Sequence, residues 1–297
     1  GIVDDGVDLL HEDLAPSYRA DLDIDINDGD SDGRPSTASD RHGTSVAGVA
    51  AAKGNNAKGA AGVAFDAELT SIRLIGAPAT DAEEAEGLLH QTSDENPNNV
   101  IHVSNNSWGP VDSSEFAKMG SVAKAALEIA VTDGRGGLGT IYTWAGGNGG
   151  QAEDRTDYDG YASNRRVIAV GGLFSNGRKA DFSEPGAALL TCAPSGYTQV
   201  TTDRMGSLGY NTGNYNFEFG GTSGAAPVIA GLAALMLEVN PALGWRDVQH
   251  ILVRSGAKND ASDAGWFTNG GGFEFNHKYG YGRPDAAKAL EIAAAWD

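Results

Sequence analysis

One stretch decides the fold and directs attention to a single side chain: Phe219-Gly-Gly-Thr-Ser-Gly-Ala-Ala-Pro-Val-Ile-Ala-Gly-Leu-Ala-Ala-Leu-Met-Leu-Glu238. Small residues surround Ser223, and the apolar run from residue 228 to 237 predicts a buried helix. Pro227 is expected in the first turn, where its missing N–H is not needed. Ser223 should then lie at a helix N-terminus, which favours negative charge. The stretch predicts either a nucleophilic serine or a tight loop that enters a core helix.

The composition indicates a chain with a substantial core and an acidic surface. The 297 residues are 40% hydrophobic, and 21 basic against 40 acidic residues give a net charge of −19. This charge argues against nucleic-acid and anionic-membrane partners and favours cations or basic substrates. We find no apolar run long enough to span a bilayer, and the single Cys192 cannot form an internal disulfide. We expect a monomer.

Alternating strand and helix patterns predict an α/β fold with a mostly parallel sheet and helices on both faces. The expected strands are 70–75, 100–104, 140–144 and 167–170, and the expected helices are 82–91, 115–131, 228–238, 245–254 and 284–295. A further helix is expected to begin at His42, and residues 21–39 are expected to form a loop. With no internal repeat and no linker, residues 1–297 form one domain in this interpretation.

Three further residues complete a catalytic pattern around Ser223. A nucleophilic serine needs a base, and the base needs an orienting acid. Asp4 closes the first predicted strand and His42 opens a helix, so the chain order is Asp, His, Ser, as in subtilisin. Asn148 lies on a glycine turn after a buried strand, and such an amide can stabilise a tetrahedral oxyanion. Together these residues favour the nucleophile over the tight loop.

At these residues the chain resembles the subtilases, and in particular their kexin/furin-like proprotein convertase branch. The subtilase motifs are Asp4-Asp-Gly, His42-Gly-Thr, Gly147-Asn148-Gly and Gly221-Thr-Ser223. The convertase motifs are Asn106-Ser-Trp-Gly-Pro110, Gly134-Arg-Gly-Gly-Leu-Gly139, Trp144-Ala-Gly-Gly-Asn-Gly-Gly150, Asp159-Gly-Tyr161, Thr201-Thr-Asp203 and Trp245-Arg-Asp-Val-Gln-His250. The resemblance covers essentially the whole chain, and without the catalytic-domain disulfides the chain is more similar to microbial kexin-like members.

The resemblance implies a subtilisin-like fold and assigns the catalytic roles. Asp4 would orient His42, the general base, and Ser223 would attack the scissile carbonyl. Asn148 and the Ser223 N–H would form the oxyanion hole. Ser107-Trp108-Gly109 would pair as an edge strand with the backbone of a polypeptide substrate.

The resemblance also implies subsites for basic side chains. By this resemblance, Asp112 and Asp159 match the P1 pocket. Paired carboxylates suit that role, because they favour guanidinium or ammonium groups. Asp5 matches the P2 site and Glu84 the P4 site. Ser39 replaces a second P2 acid, so Asp40 is considered in its place, and Lys118 falls near an expected P4 acid.

Calcium is the other interpretation of the acidic residues. Asp25, Asp30 and Asp32 lie in one oxygen-rich loop at a spacing that suits a hard cation, although such loops are sometimes only solvated turns. The resemblance implies two more sites. One would use Asp13, Asn56 and carbonyls near Lys53, Lys58 and Ala60. The other would join Asp112, Asp154 and Glu184 beneath the P1 pocket.

These inferences lead to one expectation and two rivals. We expect a secreted or cell-envelope, calcium-dependent serine endopeptidase that cleaves after basic residues, preferentially Lys-Arg or Arg-Arg pairs. The rivals are a broad-specificity degradative subtilase and a non-catalytic calcium-binding protein on the same fold. The chain is expected to be the catalytic core of a longer protein that lacks an upstream segment and a P domain. A propeptide or a dedicated chaperone could assist its maturation.

Overall fold

The protein is described by a computed structural model that covers residues 1–90, 92 and 101–297. A parallel seven-stranded sheet runs through its centre in the order β2-β3-β1-β4-β5-β6-β7. The strands are β1 Ile2–Asp4, β2 Ile24–Asp25, β3 Ser71–Arg73, β4 Val103–Asn106, β5 Ile141–Ala145, β6 Val167–Leu173 and β7 Thr191–Pro194. The predicted parallel α/β sheet is confirmed. The predicted element ends at Gln91 and Val100 lie outside the described residues.

Helices cover both faces of the sheet, as predicted. They are α1 His42–Ala51, α2 Asp81–Leu89, α3 Ser121–Asp133, α4 Thr222–Val239, α5 Trp245–Ser255 and α6 Ala286–Ala294. Successive strand residues point to opposite faces, so neighbours in β5 enter different cores. Ile141 packs with α4, α5 and α6, whereas Tyr142 packs with α2 and α3. Helix α1 packs on the same face as α4, against Ile2.

The sheet order places the ends of β1 and β4 side by side. Strands β3 and β2 lie on one side of this pair and β5, β6 and β7 on the other, and a crevice opens beyond the carboxyl ends of the pair. Asp4 is the last residue of β1, and Ser107 follows β4. The turn with Asn148 follows β5, the next strand. These topological neighbours converge on the start of α4.

Several local predictions are wrong, for physical reasons that the structure shows. Residues 24–25 form edge strand β2, inside the expected loop. Helix α3 begins at Ser121 instead of 115, where Asp81 accepts hydrogen bonds from the N–H groups of Val122 (3.0 Å) and Ala123 (2.8 Å). Strand β7 and the antiparallel pair β8 Gln199–Thr202 and β9 Tyr215–Phe219 were not predicted.

Helix α4 corrects two further expectations. It begins at Thr222, so Pro227 is its sixth residue and lies beyond the first turn. At 18 residues, α4 is also long and apolar enough to cross a bilayer, contrary to the sequence interpretation. However, 67% of it is buried inside the protein, as expected of a core helix.

Candidate active site

Asp4 and His42 form a buried acid–imidazole pair. Asp4 is 0% exposed at the end of β1, and its Oδ1 lies 2.8 Å from Nδ1 of His42 at the start of α1. Burial alone would disfavour the imidazolium, but the charge and hydrogen bond of Asp4, with the charge of Asp5, raise the pKa of His42 to about 8. The ring of Phe219 lies against the imidazole at 5.6 Å between centroids. This geometry fixes the ring and favours its protonated form.

Ser223 is the second residue of α4, as expected for a helix N-terminus. Gly221 precedes the helix with φ +75°, in the left-handed region that favours glycine. The hydroxyl of Ser223 donates to the carbonyl of Ser107 at 3.3 Å. In this arrangement the hydroxyl proton is directed to the carbonyl of Ser107, so the hydroxyl must turn before the proton can pass to His42.

Asn148 is held by Thr222, a residue that the sequence interpretation missed. The Oδ1 atom of Asn148 accepts from the N–H of Thr222 at 2.8 Å and from its hydroxyl at 3.0 Å. The same hydroxyl oxygen accepts from the N–H of Gly147 at 3.2 Å. Because the amide oxygen is engaged, the amide NH2 remains as the donor group of Asn148. The adjacency of Thr222 to Ser223 in the sequence was the available signal.

A cavity of about 300 Å³ opens beside Ser223 and contains the acids predicted for the P1 pocket. Asp112, Asp154, Asp159 and Glu184 all line it. Asp159 is 8% exposed, and burial raises its pKa to about 6 even though the N–H of Tyr161 donates to it at 2.7 Å. The cavity therefore places acidic side chains next to the candidate nucleophile.

The segment predicted as a substrate-pairing edge, Ser107-Trp108-Gly109, lies just beyond β4 outside any strand and forms one wall of this cavity. The Trp108 ring packs against Trp144 at 4.7 Å and Tyr161 at 5.3 Å between centroids. A Cβ on Gly109 would lie 3.2 Å from Oδ2 of Asp159, so glycine keeps the pocket open at this point. The packing of Trp108 fixes the position of this segment.

Three of the acids form a cluster suited to a hard cation. Ligand oxygens of Asp112, Asp154 and Glu184 lie within 4.8 Å of one another. Burial, followed by the charges of Asp154, Asp112 and Asp159, raises the pKa of Glu184 to about 8. Carboxylates packed this closely repel one another, and a divalent ion would remove that repulsion. The donor set fits calcium.

The same cluster contacts the turn that carries Asn148. Asp112 Oδ1 accepts from the N–H of Asn148 at 3.2 Å, and Glu184 Oε1 accepts from the N–H of Gly149 at 2.9 Å. Asp154 accepts from the N–H of Ser113. The carboxylates therefore hold the loops on both sides of the cavity.

The acids considered for the P2 site are engaged within the protein. Asp5 is buried and accepts from three N–H groups at the start of α1, those of Arg41, His42 and Gly43, at 2.7–2.9 Å. Asp40 is 2% exposed and pairs with Nη2 of Arg73 at 2.8 Å. Asp40 is committed to Arg73, so we no longer regard it as a substrate-binding residue. Asp5 remains beside the cleft as the cap of α1.

Glu84 lies in a second cavity, of about 520 Å³, with Trp108, Lys118 and Tyr161. Its carboxylate accepts from the hydroxyl of Tyr161 at 2.7 Å. Burial, followed by the charge of Asp81, raises the pKa of Glu84. The cavity adjoins Gly109 and carries one acidic and one basic side chain, so its charge is balanced.

In the loop predicted to bind calcium, Asp25, Asp30 and Asp32 line one cavity of about 290 Å³, and arginines pair with two of them. Asp25 is buried and pairs with Nη1 of Arg73 at 2.9 Å, and Asp32 pairs with Arg34 at the surface. Asp30 accepts from the N–H of Asp32 at 2.8 Å. Within the part of the chain that the structure describes, these three acids form no group like the one at Asp112. Arg73 is shared by Asp25, Asp28 and Asp40, and the calcium site at this loop stays a prediction. Arg73 was missed, and its place at the end of a short strand gave little signal.

The site predicted at Asp13 is partly assembled. Asp13 is buried and accepts from Asn56 Nδ2 at 2.7 Å and the N–H of Ala60 at 3.0 Å, with the Tyr215 hydroxyl at 2.9 Å. The N–H of Lys53 donates to the Asp13 carbonyl at 2.7 Å, and that of Lys58 to Asn56. The predicted residues are neighbours, but hydrogen-bond donors surround the carboxylate.

Comparison with known proteins places this geometry in a family. The subtilase family model matches residues 1–282. A PC3-like endoprotease of Hydra vulgaris is 38% identical over 99% of this chain and 41% of its own length. Human proprotein convertase subtilisin/kexin type 4 is 37% identical over 99% of this chain and 38% of its own length. The chain thus spans about two fifths of the length of these relatives.

The fold has close counterparts among solved structures. A serine protease of Aeromonas sobria, also solved in complex with a chaperone, is 26% identical with a TM-score of 0.89. The match covers 100% of this chain and 60% of the Aeromonas chain. A cold-adapted subtilisin-like proteinase, 23% identical with a TM-score of 0.68, shares the fold. The family match, the convertase relatives and these structures agree with the site geometry: the chain belongs to the subtilase family.

Proposed function

We propose that this protein is a calcium-dependent serine endopeptidase that cleaves polypeptides after arginine or lysine. The observation that carries the proposal is the acid-lined cavity beside Ser223, with the Asp4–His42 pair on the same crevice. Of the five acidic residues that line this cavity, Asp112 and Asp159 are the proposed P1 pair, and paired carboxylates favour a guanidinium or ammonium group over an apolar side chain. The convertase relatives support the same substrate class.

The proposed mechanism follows from the positions of the side chains. Ser223 rotates away from the Ser107 carbonyl and gives its proton to Nε2 of His42 as Oγ attacks the scissile carbonyl. Asp4, on Nδ1, stabilises the imidazolium, which then donates the proton to the leaving amine. Water repeats the sequence on the acyl-enzyme. The NH2 group of Asn148 and the Ser223 N–H are the proposed oxyanion donors.

Calcium is proposed at the cluster of Asp112, Asp154 and Glu184. A bound ion would neutralise these acids and hold the turn with Asn148 through the two N–H contacts described above. Ion binding and the geometry of the oxyanion hole would then be linked. The acidic pocket and the ion site share Asp112.

Preference for paired basic residues is the finer part of the proposal. Asp5 is the remaining candidate for P2, because it lies next to Asp4 at the cleft. Its carboxylate already serves α1, so we propose a weaker preference at P2 than at P1. Secretion, residues 1–297 as one catalytic domain, and chaperone-assisted maturation are proposed from the relatives. The chaperone complex of the Aeromonas protease supports the last point.

The test compares peptides that differ only at P1. Arginine and lysine peptides should be cleaved, and a leucine peptide should be cleaved far more slowly. Asp159→Asn keeps the shape of the pocket and removes a charge, so kcat/KM for the arginine peptide should fall by about ten- to a hundred-fold. Equal cleavage of the leucine and arginine peptides by the wild type would favour a broad-specificity subtilase. If a fluorophosphonate failed to label Ser223, the non-catalytic rival would be favoured.

A further inference from the structure

We propose that Ser107 is a positioning residue for the nucleophile, and that its side chain replaces a helix hydrogen bond that Pro227 removes. The inference rests on the proposed protease function and adds a role for a side chain within the edge segment. It concerns the backbone carbonyl of Ser223, whose position sets the direction of the Ser223 side chain.

The backbone of α4 lacks one of its regular hydrogen bonds. In an α-helix the carbonyl of residue 223 would accept from the N–H of residue 227. Residue 227 is proline and has no N–H, so this bond cannot form. Instead, the Oγ of Ser107 donates to the Ser223 carbonyl at 2.9 Å. A side chain from the end of β4 thus supplies the donor that the helix lacks.

Buried neighbours fix the direction of the Ser107 hydroxyl. Nδ2 of Asn105 donates to Oγ of Ser107 at 3.0 Å, and Oγ1 of Thr143 donates to Oδ1 of Asn105 at 3.0 Å. All three side chains are at most 4% exposed. Because the Ser107 oxygen accepts from Asn105, its proton is left for the Ser223 carbonyl. This buried chain links the central sheet to the backbone of the nucleophile.

Two hydrogen bonds join Ser107 and Ser223, and they behave differently when the Ser223 hydroxyl turns. The Ser223 hydroxyl donates to the Ser107 carbonyl at 3.3 Å, and this bond must break when Ser223 turns toward His42. The bond from Ser107 Oγ to the Ser223 carbonyl involves only the backbone of Ser223, so it persists through that rotation. The Ser107 side chain should therefore act on the chemical step more than on substrate binding.

The experiment is a double-mutant cycle with peptide substrates that carry P1 arginine. Ser107→Ala leaves a buried carbonyl without its donor, so kcat should fall by about five- to fifty-fold with KM changed less than about two-fold. Pro227→Ala restores an N–H at residue 227. Alone it should change kcat by less than about three-fold, and in the double variant it should recover most of the kcat lost in Ser107→Ala.

Ser107→Thr is the conservative control, because it keeps the hydroxyl. It should lose clearly less kcat than Ser107→Ala, and melting curves should show that each variant is folded. Unchanged kcat in Ser107→Ala would overturn the inference, as would a double variant no faster than Ser107→Ala. Should Ser107→Ala fail to fold, the same comparison with Ser107→Cys, a weaker donor, should give an intermediate kcat, and wild-type kcat would overturn the inference. Failure of the proposed function is distinguishable, since the wild type itself would then be inactive.

Discussion

The loop between Asp25 and Arg34 and the floor of the cavity beside Ser223 are both rich in carboxylates, but they balance that charge differently. In the loop, Arg73 pairs with Asp25 and Arg34 pairs with Asp32. In the cavity, the carboxylates of Asp112 and Glu184 are met by backbone N–H groups. A guanidinium cancels a full charge, whereas an N–H dipole does not. We therefore expect the region without guanidinium partners to depend more strongly on a bound ion.

The largest expected effect tests the loop. Arg73→Met leaves Asp25 and Asp40 buried without their partner, so the free energy of unfolding should fall by about 3–5 kcal/mol. Arg34→Ala is the matched control at the surface and should cost less than about 1 kcal/mol. Urea unfolding in a Ser223→Ala background measures both without self-digestion. Equal losses, or full restoration of Arg73→Met by calcium, would show that the loop relies on an ion after all.

An intermediate effect tests the cavity floor. Chelation should lower the melting temperature, and calcium at about 100 times its Kd should restore about 2.7 kcal/mol. Glu184→Gln should abolish most of that response, since it removes one of the three clustered carboxylates. The paired variant Asp30→Ala with Asp32→Ala should respond as the wild type does. If the pair lost the response and Glu184→Gln kept it, the comparison would be reversed.

Per pH unit, the smallest effect is a pH dependence of the calcium-free protein. The pKa of Glu184 is raised from 4.5 to about 8 by folding, so the folded state retains a proton that the unfolded state releases. Stability should therefore fall as the pH rises from about 4.5 to 8, by at most about 1.4 kcal/mol per pH unit. Calcium should flatten this slope, and Glu184→Gln should remove it. A slope that persists in Glu184→Gln would assign it to another group.

The positions of residues at strand and helix ends were predictable from local sequence, and the contacts that residues make with distant partners were not. Asp4 closes a strand, His42 opens a helix and Ser223 follows glycines, and these local signals placed each of them correctly. The sequence around Asp25 suggests a calcium ligand, and the position of Asp40 suggests a substrate-binding acid. Their partner Arg73 lies far along the chain, and the sheet register brings it to them.

The predicted start of α3 and the predicted position of Pro227 were wrong for the same reason. In each case a side chain from another element supplies the bond that marks the helix end or repairs its backbone. Asp81 of α2 caps α3, and Ser107 reaches α4. Helical periodicity describes which face of a helix is buried, but it carries no information about such tertiary partners.

The burial of α4 determines how the proposed protease would lose activity by autolysis. A protease can cut a segment only when that segment opens into an extended form, and α4 packs on α1, α6 and four strands of the sheet. Its amide hydrogens should exchange with solvent only when the whole domain unfolds. The last parts open to cleavage would then be strand β4, which Ser107 follows, and helix α4, which carries Ser223. Inactivation in solution should begin by nicking of surface loops, while the catalytic serine stays in place until global unfolding.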